Sequence, residues 1–414
     1  MARDAYRLTA LFIAIVIVNL GIGLLGTLLA VRASIEGFPD SVTGLIMALY
    51  YVGLVLGAFY AGGMVSRVGH IRTFAGLASL VSAATLACAL VVDPIAWGAL
   101  RILSGFCMAG IFMVCESWLN EQATSETRGR YLAIYMTLNL ASLAASQFML
   151  TTADPAGFHL FSIAAILLSL ALVPVVLARI QAPDLPRARR MPMGRLYRTS
   201  PLGTMTCFVA GMTIGSFWGI GPIFARRMEL DDTGIASFMA AVILGGLALQ
   251  WPVGWISDRV DRRKVIGGVC ILAAAVCIAM GLLPEGSGYF LALAVLLGGT
   301  LYPIYSLGVS HVNDFVARGE FVPVSSGLLF LYGCGAALGP ILGGAAMDGV
   351  GPRGFPFYLA AVLIALVLIA LYRMTRRAAP PPEQRESSVA LPRTTPLILE
   401  LDPRSSTPDS FSDD

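Results

Sequence analysis

Few residues in this chain of 414 stand where a charge could act. Arg101 is the one charge well inside a long apolar run. It lies about seven residues past Pro94, roughly 10 Å along a helix. Burying a guanidinium in a bilayer costs about 3 kcal/mol on insertion scales, so such a residue normally faces a cavity or a partner. Snorkelling to the headgroups is the plain alternative at this depth. Glu116 lies further along the same run, roughly 22 Å away and about 60° around the axis, so it cannot pair with Arg101. The other informative polar residues, Arg67, Arg128, Asp258, Arg259, His311 and Asp314, sit where apolar runs end. Such a set can bind a charged group or latch two surfaces. It lacks a nucleophile–base pair with usable spacing, a metal-ligand cluster and a phosphate loop after a strand. No catalytic residue, metal or cofactor is therefore expected. The seven Cys fall in apolar runs without paired spacing and read as small packing residues.

The elements that hold these residues follow from composition. The chain is 57% hydrophobic and 13% charged, where a soluble chain carries roughly 25% charge. Runs long enough to span a bilayer fall near 8–31, 42–65, 73–92, 95–118, 131–152 and 158–178. Six more fall near 202–223, 234–257, 265–283, 289–312, 324–347 and 354–372. The runs are continuous rather than alternating, which predicts helices and not barrel strands. The first run is too long for the core of a cleavable leader. Among the 28 basic residues, Arg32, Arg226, Arg227 and Arg353 lie on one side of the predicted spans and Arg101 lies within one; the rest collect on the other side. That bias places both termini in the cytoplasm. The small net charge, +3, is spent on topology and does not point to nucleic acid.

A charged turn occurs twice. Gly62-Gly63-Met64-Val65-Ser66-Arg67-Val68-Gly69-His70-Ile71-Arg72 follows the second span, and Gly254-Trp255-Ile256-Ser257-Asp258-Arg259-Val260-Asp261-Arg262-Arg263-Lys264 follows the eighth. The repeat divides the chain into a first six-helix bundle, 1–181, and a second, 201–375. A Pro- and Arg-rich linker, 182–200, joins them. The remainder, 376–414, is rich in Pro, Ser, Thr and acid without apolar periodicity, and is expected to be a disordered cytoplasmic tail.

These features resemble the major facilitator superfamily over residues 1–375. Cys115-Glu116-Ser117, Arg128-Gly129-Arg130-Tyr131-Leu132-Ala133, Gln250-Trp251-Pro252-Val253-Gly254 and Leu301-Tyr302-Pro303 resemble its bacterial YcaD-type subgroup. The resemblance implies an all-α membrane protein whose twelve transmembrane helices form two pseudo-symmetric six-helix bundles. It implies residence in a bacterial inner membrane and alternating access for a small solute. In that family the first, fourth, seventh and tenth spans line a central cavity. This favours Asn19, Arg101, Trp218 and Tyr305 as cavity residues, with Tyr302 beside them. The turns are implied to latch the halves. Asp258 and Arg259 match the pattern, while Ser66 stands where the first turn should have an Asp, so the first latch should be the weaker. Gly62 and Gly254 are expected to let neighbouring helices approach closely.

One gate salt bridge is expected between Glu116 and Arg67, with Arg128 also in reach. Arg259 with Asp314 is its counterpart in the second half. No Asp or Glu lies near the middle of a span, so proton coupling would have to use Glu116, His311 or Asp314. A cavity Arg without an opposing acid favours a neutral or anionic solute. Two alternatives stay open: a proton-coupled antiporter exporting amphipathic drugs, and a non-transporting membrane sensor or scaffold on the same fold. The expected partners are the lipid bilayer, a small solute and protons as a candidate coupling ion; a monomer is expected, and no nucleic acid.

Overall fold

A continuous apolar run satisfies its backbone in lipid only as a helix. In the computed structural model, which describes residues 2–124, 126–177, 191–284, 288–317, 320–376, 388–389, 392–395 and 398, with 2–7 as backbone only, twelve helices are long and apolar enough to cross a membrane. All twelve expected spans are present, and the described residues contain no strand. The first half comprises α1 (Ala2–Ile35), α2 (Asp40–Val68), α3 (His70–Leu90), α4 (Pro94–Glu121), α5 (Arg128–Phe148) and α6 (His159–Leu170) with its short continuation α7 (Leu172–Leu177). A short helix, α8 (Met193–Thr199), lies within the expected linker. The second half comprises α9 (Pro201–Arg227), α10 (Asp232–Arg259), α11 (Arg262–Leu282), α12 (Phe290–Asn313), α13 (Phe321–Val350) and α14 (Gly354–Arg376).

Local sequence explains the boundaries. Asp93 caps α4 by accepting from the Ala96 N–H at 2.8 Å, with Pro94 in the first turn where its missing donor is harmless. Asp231 caps α10 in the same way through the Gly234 N–H at 2.7 Å. The sixth span is not one helix. It breaks at Ala171, because Pro174 lacks the N–H that would bond to Leu170 and its ring crowds that carbonyl.

The repeated turns are built differently. In the first, Gly69 joins α2 to α3 at φ 92°, a conformation that side-chain-bearing residues rarely adopt. At the matching place in the second, Asp261 caps α11 through the Arg263 N–H at 3.1 Å and pairs with Arg263 at 2.7 Å. Neither leading glycine is a helix contact. A Cβ on Gly62 would meet only Met113 Sδ, at 3.7 Å, and one on Gly254 only Ser388, at 3.6 Å. The expected close approach at these two positions is therefore absent.

Close approach occurs instead between α2 and α13, which join the halves. A Cβ on Gly44 would stand 2.2 Å from the Pro340 carbonyl oxygen, and one on Gly344 2.3 Å from that of Asp40. Both contacts lie at the end of the bundle remote from the α14 C-terminus, called the far end below. There Asp348, in the last turn of α13, accepts from the backbone N–H groups of Asp40 and Ser41, each at 3.0 Å. These are unsatisfied donors at the α2 N-terminus, where the helix dipole favours an anion. Arg227 at the end of α9 adds an ion pair to Asp40 at 3.2 Å. The halves are thus closed together at the far end.

Candidate functional site

Between the halves lies a cavity of about 220 Å³. Each half supplies wall residues: Asn19 on α1, Tyr50 on α2, Arg101 on α4 and Asn139 on α5 face Trp218 on α9, Gln250 on α10, Tyr302 on α12 and Tyr332 on α13. Asn19, Arg101, Trp218 and Tyr302 therefore stand where a cavity role needs them. Tyr305 does not line the space. It is fully buried, with its ring edge-on to Tyr332 at 5.2 Å and 5.7 Å from the guanidinium carbon of Arg393, which itself lines the cavity.

Arg101 is 4% exposed and lies over the Tyr50 ring, 4.4 Å from its centroid. Its Nε and Nη1 have no hydrogen-bond partner among the described residues. Among the described residues, no carboxylate lines the cavity beside it. Such an arrangement holds a cation by its aromatic face and leaves donors free for an incoming acceptor.

Both expected gate pairs are corrected. Arg67 is exposed, whereas Glu116 is fully buried, and the two are not paired. Glu116 instead accepts from the Tyr135 hydroxyl at 2.7 Å. Arg128, partly buried at the start of α5, is not among the described residues that bond to it. In the second half Arg259 turns onto its own helix. It stacks on Trp255 at 3.8 Å and donates to that residue's carbonyl at 3.1 Å. Asp314 takes Arg262 instead, at 2.9 Å. Asp258 lies 3.5 Å from Arg262. His311 sits edge-on to Phe315 at 5.3 Å, beside a small separate recess with Arg263 and Arg373. Of the three proton-coupling candidates, His311 and Asp314 are thus away from the cavity.

The largest surprise is in the tail. Most of the expected tail lies outside the described residues, but Pro392, Arg393 and Thr394 line the cavity. Arg393 donates to the Tyr302 carbonyl, and Thr394 and Thr395 donate to the two Glu116 oxygens. Ser388 donates its N–H to Asp258 at 2.6 Å. An apolar-periodicity search passes over such a segment, because its contacts are polar and singly placed. Tyr50, Tyr135, Tyr332 and Arg262 likewise carry no distinguishing signal in the sequence. In the sequence an aromatic residue in an apolar run looks like packing, and Arg262 is one of several cations in a turn.

The twelve-helix fold is matched by comparison with known proteins. The sequence fits the pattern described as Major Facilitator Superfamily over residues 11–284, and again over 203–405. The chain belongs to the Major Facilitator Superfamily. An uncharacterized MFS-type transporter of Enterobacter sp. (strain 638) is 27% identical over 374 residues, covering 89% of this chain and 96% of the relative. The uncharacterized MFS-type transporter YcaD of Escherichia fergusonii is 26% identical over 370 residues, covering 89% and 95%. In fold, the crystal structure of the nucleoside transporter NupG matches with a TM-score of 0.73 at 12% identity, covering 91% of this chain and all of that one. A bacterial homologue of the human lysosomal transporter Spinster, inward-facing and unoccupied, matches at 0.69 and 13% identity, covering 97% of each chain. Membership makes this a multi-pass membrane transporter.

Proposed function

We propose that the chain moves a small neutral or anionic solute by alternating access, as a secondary active or facilitative carrier. The observation that carries this reading is Arg101: a buried cation on an aromatic ring, with two donors unpaired and no acid along the cavity wall among the described residues. A solute carboxylate, phosphate or carbonyl would supply the missing acceptor, and charge assistance would make that contact a strong one. The closed far end supports one half of a rocking cycle about a midplane site. The Arg bias of the loops would make that end the outer one, with both termini cytoplasmic. Protons, if they couple, would use Glu116, which reaches the cavity edge through Thr394.

A second reading, export of amphipathic compounds, is supported by the aromatic cavity wall of Tyr50, Trp218, Tyr302 and Tyr332. Flux into proteoliposomes separates the two, using anionic, neutral and cationic solute panels with and without a pH gradient. Saturable anion or neutral-solute flux is expected, with KM for anions raised at least tenfold in Arg101→Ala. Flux confined to cations would favour export of amphipaths. No flux of any solute, from the full chain or from one ending at Arg376, would leave the non-transporting sensor.

A further inference from the structure

Arg393 sits in the cavity as a bound ligand would. Its guanidinium carbon lies 5.0 Å from the ring centroid of Tyr302, 5.7 Å from Tyr305 and 5.6 Å from Tyr332. All three are within the distance at which an aromatic face attracts a cation. The guanidinium also donates to the Tyr302 carbonyl. Its neighbours are anchored on both sides. Ser388 binds Asp258 through its N–H, and its hydroxyl lies 3.4 Å from that of Ser310. Thr394 and Thr395 give their hydroxyls to Glu116, and Ile398 is fully buried.

We propose that Tyr302, Tyr305 and Tyr332 form a guanidinium site, and that Arg393 of the chain's own tail is its resident, displaceable occupant. Two features argue for a built site rather than a chance contact. First, Glu116 is fully buried, and the donor it receives from the described helices is the Tyr135 hydroxyl. A buried carboxylate needs several donors, and the two tail hydroxyls supply them. Second, the segment joins the halves. It holds α4 of the first through Glu116, and α10 and α12 of the second through Asp258 and Tyr302. Any closure of the halves at this end must first expel it. An occupant present in only one of two conformations shifts the population toward that conformation. The seated tail therefore holds the carrier with its far end closed.

The same geometry defines what can replace it: a guanidinium on a short peptide or amphipath whose hydroxyl donors reach Glu116. Tethering within one chain gives an effective concentration of the order of millimolar, so a free competitor should bind poorly until the tail is removed. This inference does not rest on the solute proposed at Arg101, and its readout is binding rather than transport.

The test uses purified full chain and a chain ending at Arg376, both in lipid nanodiscs. The probe is a fluorescein-labelled synthetic peptide with the sequence of residues 386–400, read by anisotropy. The shortened chain should bind it at least tenfold more tightly than the full chain. The peptide carrying Arg393→Ala should lose at least tenfold, and phenylguanidine should compete. Equal binding to both chains, or a peptide indifferent to Arg393→Ala, would overturn the site. In the protein, Tyr332→Phe should keep binding and Tyr332→Leu should weaken it. Because the Arg393→Ala test alters only the peptide, it stands even if Tyr332→Leu fails to fold. The wedge is read separately: thiol labelling at a far-end cysteine should rise at least fivefold on truncation. Unchanged labelling would overturn the tail's hold on the closed far end.

Discussion

Arg262 Nε stands 2.9 Å from Asp314 Oδ2, with both side chains about 1% exposed. The pair ties the start of α11 to the end of α12, both in the second half. It stiffens that half rather than joining it to the other. Removing one partner of a buried pair leaves an uncompensated charge, at a cost of about 3–5 kcal/mol. Arg262→Met or Asp314→Asn should therefore lower the unfolding temperature in detergent by several degrees. Arg259→Ala, which removes only a stack on its own helix, should change it little. Combining Arg262→Met with Asp314→Leu should recover part of the loss. Equal losses from Arg259→Ala and Arg262→Met would show that the pair has no special weight.

The far-end contacts are graded in the same way by exposure. Asp348 satisfies two backbone donors at the α2 N-terminus, a role worth about 1–2 kcal/mol for a single cap. The Arg227 side chain is 48% exposed, so its ion pair with Asp40 is worth about 0–1 kcal/mol. Asp348→Ala should increase labelling of a cysteine placed at Thr43, in a background without the native cysteines, by about tenfold, since ~1.4 kcal/mol is tenfold in an equilibrium. Arg227→Ala should raise it about threefold at most. A reversed order would place the lock in the ion pair.

The glycines that let the halves meet give a third measurement. Ala at Gly44 would put its Cβ 2.2 Å from a backbone oxygen of α13, so the helices must separate. Overpacking of this kind costs about 1–3 kcal/mol. Gly63 has nothing within 4 Å. Gly44→Ala should thus open the far end to labelling while Gly63→Ala does not. Similar labelling of the two variants would mean that α2 and α13 do not set the closure.

Much of this was legible in the chain because the signals were periodic or long. Twelve continuous apolar runs could only become helices in lipid, and Arg101, alone in one of them, called for a cavity or a partner. The gates were not legible. Several cations stand within a few residues of each other around Arg259, and sequence order does not say which of them faces Asp314. Helix rotation decides it: Arg259 ends α10 and lies on Trp255, whereas Arg262 begins α11 and turns inward. Glu116, expected to pair with Arg67, was illegible for a related reason. Its place near a helix end puts several cations in sequence reach, yet it is fully buried and bonded to Tyr135 and to the tail. The tail was opaque because a segment held by a few hydroxyls and one guanidinium leaves no hydrophobic pattern.

The two turns also differ in what they hold. Asp258 accepts the Ser388 N–H at 2.6 Å and lies 3.5 Å from Arg262. Ser66 is exposed, and its hydroxyl only turns back to the Gly63 carbonyl of its own helix, at 3.1 Å. A hydrogen bond to a charged group is worth about 1.5–3 kcal/mol, whereas a local hydroxyl bond contributes less. Asp258→Asn should loosen the tail and raise far-end labelling about three- to tenfold in the full chain. Ser66→Ala should leave it unchanged. In a chain ending at Arg376, Asp258 has no tail to hold, and the difference between the two substitutions should shrink toward nothing. A difference of the same size in both chains would show that Asp258 acts through Arg262 and the turn itself, not through the tail.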